Sequence, residues 1–113
     1  MKSTRYYSSQ QEKRTAKNLG GKTVANSGAP SFCGGDVKLD NFLIECKTKT
    51  SESQSMSIKK EWLEKTKEEA LAQRKRFYSL AFDFGAKDNY YIIDEKTFKY
   101  FINILNDLEA EEK

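Results

Sequence analysis

The chain reads as a mixed α/β domain: one β-sheet with helices on its faces, in the order α, three β, α, two β, α. Three observations predict it. The run from Gly35 to Lys47 alternates apolar and polar residues on both sides of Asp40-Asn41, the pattern of a two-stranded hairpin. Stripes of helical period then interrupt the strand-like runs, and a hairpin too small to stand alone needs the later strands to extend it. A length of 113 residues suits one domain with a single modest core.

The elements follow in order. A first helix is expected from about Ser9 to Leu19, with Ser9 and Glu12 at capping-box spacing and Gly20-Gly21 ending it. Tyr6 and Tyr7 before it read as a hydrophobic staple, or as rings able to stack on an unpaired base. Lys22 to Asn26 is a short strand, and Ser27 to Gly35 a loop combining glycines with one proline. In the hairpin, Leu39 faces Phe42, Lys38 faces Leu43, Val37 faces Ile44 and Asp36 faces Glu45. Val37, Leu39, Phe42, Ile44 and Cys46 then share an apolar face, and Asp36, Glu45 and Lys47 share the other. A slip of one residue would drive the aliphatic set off its face. Thr48 to Met56 is a polar connector. Ser57 can cap a helix through about Arg74, with Ile58, Trp62, Thr66 and Ala70 along one stripe and Trp62 in the core. Phe77 to Phe84 and Tyr90 to Ile93 read as strands joined across Gly85 to Asn89. Asp94 caps a last helix whose Phe98, Phe101, Ile102, Leu105 and Leu108 are expected to be its buried face.

Composition narrows the chemistry. There is no histidine and there are two cysteines, Cys33 and Cys46, so a Cys/His zinc site, histidine acid–base catalysis and serine-protease-type triads are all excluded. Carboxylates and lysines must carry whatever chemistry there is. Cys46, on the apolar strand face, reads as a small core residue. The start Met1-Lys2-Ser3-Thr4-Arg5 turns polar at once and no apolar run approaches a membrane span, so the expected location is cytoplasmic. Net charge is only +3 but unevenly spread, with Lys13, Arg14, Lys17 and Lys22 early, Lys59 and Lys60 midway, Arg74, Lys75 and Arg76 later, and Glu109, Glu111 and Glu112 near the end. Such clusters favour phosphate backbones, or simply form a solvated face.

Directly opposed residues of a hairpin hold their Cβ atoms about 4.5–5.5 Å apart, where two carboxylates repel unless something neutralises them. A divalent cation would do so. Asp36, Glu45 and the backbone carbonyl of Cys46 supply the hard oxygen ligands that Mg²⁺ or Mn²⁺ prefers. Lys47, on the same face, can orient an attacking water or stabilise charge building on a phosphate. Glu12 lies on the stripe Glu12, Ala16, Leu19 that faces the sheet, where it can complete a metal site or serve as the reciprocal half of the capping box with Ser9.

Asp36 followed by Glu45-Cys46-Lys47 resembles the PD-(D/E)xK nuclease superfamily, whose signature is an acidic residue, a short spacer and Glu-x-Lys on the next strand. Gly35 stands where that family frequently has proline. The upstream helical Glu12 and the segment Asn26-Ser27-Gly28-Ala29 make the chain most similar to archaeal-type and phage Holliday junction resolvases. The resemblance implies a restriction-endonuclease-like mixed sheet flanked by helices, in the order αβββαββα, and catalytic roles for Glu12, Asp36, Glu45 and Lys47. It implies Mg²⁺ as cofactor with Mn²⁺ as a substitute, branched DNA as substrate, and a homodimer in a bacterial or phage-infected cell. By the same resemblance Ser27 contacts the scissile phosphate, though it can equally form a turn. Lys13, Arg14, Lys17, Lys59 and Lys60 are the DNA-binding candidates, and Gln73 and Lys59 stand where an auxiliary polar residue is often presented. The last helix, with Phe98, Tyr100 and Phe101, is the expected dimer surface. Two alternatives stay open: a non-catalytic nucleic-acid-binding module on a nuclease fold, and a restriction-like or single-strand DNA nuclease.

Overall fold

The computed structural model describes residues 3–24 and 35–112. Three helices and five strands follow along the chain: α1 (Thr4–Leu19), β1 (Lys22–Thr23), β2 (Val37–Lys38), β3 (Phe42–Lys47), α2 (Lys60–Ala72), β4 (Phe77–Phe82), β5 (Tyr90–Ile92) and α3 (Glu95–Glu111). The strands form one mixed sheet in the order β1-β2-β3-β4-β5, with every pair antiparallel except β3 and β4. Parallel neighbours need a crossover, and α2 supplies it. Among the described residues, no helix is long and apolar enough to cross a membrane.

The hairpin has the expected register, Val37 opposite Ile44 and Lys38 opposite Leu43. In its turn neither Asp40 nor Asn41 takes a left-handed backbone; among the described residues, Arg74, at φ 58°, is the non-glycine residue that does. The carbonyls of the turn are held from outside instead. Lys75 Nζ donates to Leu39 O at 2.6 Å, and the Phe77 N–H donates to Asn41 O at 2.8 Å.

Both faces of the sheet are covered. Ala16 of α1 packs with Val37, Ile44 and Ala81, and Leu39, Phe42 and Cys46 close around them. On the other face Leu43 and Leu80 are fully buried, and α2 turns Thr66 and Ala70 inward. Trp62 is only half-buried, so the expected core position becomes a border one.

Several boundaries move. Helix α1 begins five residues early: Ser3, in extended backbone, accepts the Tyr6 N–H on its hydroxyl, and no proline or glycine interrupts Thr4 to Ser8. The Ser9–Glu12 capping box therefore does not form, and Tyr6 and Tyr7 stand inside the first turns rather than stapling onto them. The inward stripe is Gln11, Thr15 and Ala16. Strand β1 ends at Thr23, although the Val24 N–H still reaches Asp36 O; the rest of the expected strand lies outside the described residues. Helix α2 starts at Lys60, capped by Lys59 without a side-chain hydrogen bond rather than by Ser57, and stops at Ala72 before the left-handed Arg74. β4 ends at Phe82, where the Asp83 side chain turns inward, and β5 at Ile92. Asp94 caps α3 as expected, accepting the Thr97 N–H at 2.8 Å. The apolar face of α3 is not buried: Phe98, Phe101, Ile102, Leu105 and Leu108 are 39–58% exposed, because α3 meets the body only near its start.

Candidate active site

Helix α1 is fastened to the carboxyl ends of β3 and β4 by buried polar contacts. Gln11 Nε2 donates to Lys47 O at 2.8 Å, while Asn89 Nδ2 donates to Thr15 Oγ1 at 2.8 Å. Arg14 pairs at 2.9 Å with Asp83, a carboxylate 2% exposed that also accepts from Thr48 Oγ1 and the Gly85 N–H. A buried charge needs such partners, and these set the height of α1 against the sheet. They thereby set the position of Glu12, one residue on from Gln11.

At that end of the sheet the acidic side chains meet. Asp36 directs its carboxylate across the hairpin, and Asp36 Oδ2 accepts the Cys46 N–H at 2.7 Å. A strand residue's N–H and C=O point to the same edge, so the Cys46 carbonyl faces the same side as Asp36. Glu45 stands opposite Asp36 by the Val37–Ile44 register. Burial first, then the charge of Asp36 and side-chain hydrogen bonding with it, push the Glu45 carboxyl well above the usual carboxylate range, against the opposing pull of Lys47 and Lys65. Glu12 rises from 4.5 to about 7, through burial and then the charge of Asp36, with Arg5 pulling the other way. Burial and the same acidic neighbours hold the Cys46 thiol protonated, and its Sγ rests 3.9 Å from Thr15 Oγ1.

The backbone at position 35 requires glycine. It is buried at φ +88°, and a Cβ there would run into the Leu43 side chain. Proline, locked near φ −65°, cannot take this conformation. The glycine lets the chain enter β2 with Asp36 turned toward β3.

Lys47 Nζ lies 4.4 Å from the centroid of the Trp62 ring, a cation–π contact that keeps the ammonium beside the carboxyls rather than in solvent. The sequence pattern does not announce this role of Trp62, or those of Lys65, Arg5 and Gln11. The α2 stripe pointed to Trp62 as an apolar residue only, and the others carry no local signal.

The remaining candidates fall as follows. Lys13 and Lys17 line an open groove of ≈ 720 Å³ together with Thr48, Lys49, Lys87, Tyr6 and Tyr7; Glu12, Asp36, Glu45 and Lys47 do not line it. Arg14 reaches the same groove with its guanidinium committed to Asp83. Lys59 approaches Trp62 at 5.9 Å, Lys60 opens α2 and is exposed, and Gln73 forms the C-cap of α2. Ser27, the loop around it and Cys33 lie outside the described residues.

Among the described residues, no three His, Cys, Asp or Glu side chains stand in a ready metal-ligating cluster. The donor chemistry nevertheless fits a hard divalent cation. Asp36, Glu45 and Glu12 carry hard oxygen donors; their repulsion, with burial, raises the Glu45 and Glu12 carboxyls, and a cation would relieve it. Compared with known proteins, the chain matches no family model, no curated protein and no solved structure.

Proposed function

We propose that the chain is a Mg²⁺-dependent endodeoxyribonuclease of the PD-(D/E)xK type, a structure-selective enzyme acting on four-way DNA junctions as a symmetric homodimer. The observation that supports this reading is the Asp36–Glu45 carboxyl pair, set across the hairpin by the Val37–Ile44 register and flanked by Glu12 and Lys47. A protein that only binds nucleic acid has no use for carboxyls held together against their repulsion.

Asp36, Glu45 and the Cys46 carbonyl, joined by Glu12, would hold the cation. When bound there, it supplies the Lewis-acid charge that phosphodiester hydrolysis needs. Lys47, fixed by its strand and by Trp62, places a positive charge where negative charge builds on the phosphate and orients the attacking water. Glu12, raised to about 7 without metal, would give up its proton as the cation binds. Lys13, Lys17, Lys49 and Lys87 carry the phosphate backbone along the groove that they line, where Tyr6 and Tyr7 offer ring faces to an unstacked base. Lys59 and Lys60 would approach from the opposite face, and Ser27 would contact the scissile phosphate.

The test is cleavage of labelled four-way junction, flap, duplex and single-stranded DNA in Mg²⁺ or Mn²⁺. Paired symmetric cuts in the junction are expected. Cleavage of other forms alone would leave a nuclease that is not a resolvase, and binding without cleavage would leave a nucleic-acid-binding module.

A further inference from the structure

The end of the sheet opposite the candidate active site collects positive charge. Two open hollows of ≈ 470 and ≈ 680 Å³ meet there, sharing Lys75, Arg76, Phe77 and Tyr100 as a common wall. Lys67, Lys96 and Lys99 line the first, between α2 and α3; Lys22 and Lys38 line the second, between the end of α1 and the hairpin turn. With Lys75 and Arg76 that makes seven cations, against the two carboxylates Asp40 and Asp94. Asp94 is committed to the Thr97 N–H as the cap of α3, and among the described residues none of the seven cations is ion-paired. The carboxyl ends of α1 and α2 add about half a negative charge each, far too little to balance them.

Four of these side chains have positions set by the fold. Lys22 and Lys38 stand directly opposite each other in the β1–β2 pair, where like charges repel unless an anion neutralises them. The half-buried Lys75 is tied to the hairpin turn, donating to Leu39 O at 2.6 Å and Asp40 O at 3.3 Å. Arg76 lies 4.3 Å from the centroid of the Tyr100 ring and 5.0 Å from that of Phe77, with Nη1 donating to the Tyr100 hydroxyl at 3.2 Å. Held against two rings, the guanidinium keeps the rest of its planar fork for the paired oxygens of a phosphate.

From Phe42, which lines the second hollow, to Lys47 is about 17 Å along β3, roughly twice the Debye length at physiological salt. These cations therefore do not serve the phosphate held at Lys47. A duplex presents about one charge per 1.7 Å of axis, so cations spread over two hollows match a nucleic-acid backbone better than a lone phosphate or carboxylate. We infer that this end of the sheet is a second DNA-contact surface, which takes the phosphate backbone of a segment other than the one being cut. Such a surface rests on the DNA reading above and adds a source of selectivity to it. A chain that grips two segments at once binds branched DNA more tightly than plain duplex, because the second contact is intramolecular.

The experiment is fluorescence anisotropy of a labelled four-way junction and a labelled plain duplex with the full chain in EDTA, over a range of salt, with circular dichroism to verify folding. Lys22→Gln and Lys99→Gln, at exposed positions, are expected to keep the fold and to weaken junction binding ~3- to 10-fold each. Each should lower the slope of log affinity against log salt by about one, with duplex binding changed less, and Lys22→Arg should retain the affinity. Junction affinity and salt slope unchanged in the double variant would overturn the surface. Equal losses on junction and duplex would overturn the second segment. Polyglutamate displacing the junction as readily as duplex DNA does would overturn the DNA ligand and assign the surface to an acidic protein. Cleavage plays no part in these readouts, so a chain that binds the junction as expected but never cuts it refutes the nuclease reading and leaves the second surface standing.

Discussion

Glu45 sits where its own charge is least welcome, half-buried beside Asp36, and its carboxyl is raised well above the usual carboxylate range. Replacing it by glutamine keeps the hydrogen bond and removes the repulsion. Glu45→Gln is therefore expected to raise stability at neutral pH by about 1 kcal/mol in metal-free buffer, while lowering cleavage at least ~100-fold. Thermal melts beside a cleavage assay check this, and a destabilised variant would contradict the site's electrostatics. Trp62 acts through Lys47. Its contact is worth about 0.5–2 kcal/mol, so Trp62→Leu should keep the fold and slow single-turnover cleavage about 3- to 10-fold; an unchanged rate would remove it from the site. Of these residues, Asp36, Glu45 and Lys47 are legible in the sequence, because a two-residue period and a short turn decide which side chains share a face. The Lys47–Trp62 contact is not, since it depends on where a crossover helix comes to rest.

Elements were legible to the extent that their signals are local. The hairpin register follows from one aliphatic pattern that tolerates no slip, and Asp94 caps α3 with a carboxylate placed just before a helical run. Helix α1 was misjudged because Ser3 and Ser9 have the same capping chemistry, and only the backbone shows which serine is extended. The two can be separated by substitution. Ser3→Ala is expected to cost about 1 kcal/mol in denaturant unfolding, and Ser9→Ala, inside the helix, to be nearly neutral or slightly stabilising. The reverse ranking would restore the later start. The α3 face fails for a different reason: periodicity announces that a face needs covering, but it does not identify the cover.

At the scale of the whole molecule, the acidic site makes stability depend on pH with a sign opposite to that of an ordinary salt-bridged carboxylate. Glu12 rises from 4.5 to about 7 on folding, so between those values the native state binds more protons than the unfolded one. Its contribution is full below 4.5 and is lost as pH rises to about 7, and Glu45 shifts in the same direction. Metal-free protein should therefore melt at progressively lower temperature across that window. Added Mg²⁺ should raise the melting temperature most at its alkaline end, where the ligands are deprotonated. A flat profile unaffected by Mg²⁺ would speak against a cation site.

The central claim is that Asp36, Glu45 and Lys47 form a metal-dependent phosphodiesterase site. Its most direct test is cleavage of a labelled four-way junction in Mg²⁺ by wild type and by folded Asp36→Asn. Metal-dependent cutting by wild type that falls at least ~100-fold in the variant is expected. Equal cutting by both proteins, or none by wild type in Mg²⁺ or Mn²⁺, would contradict it.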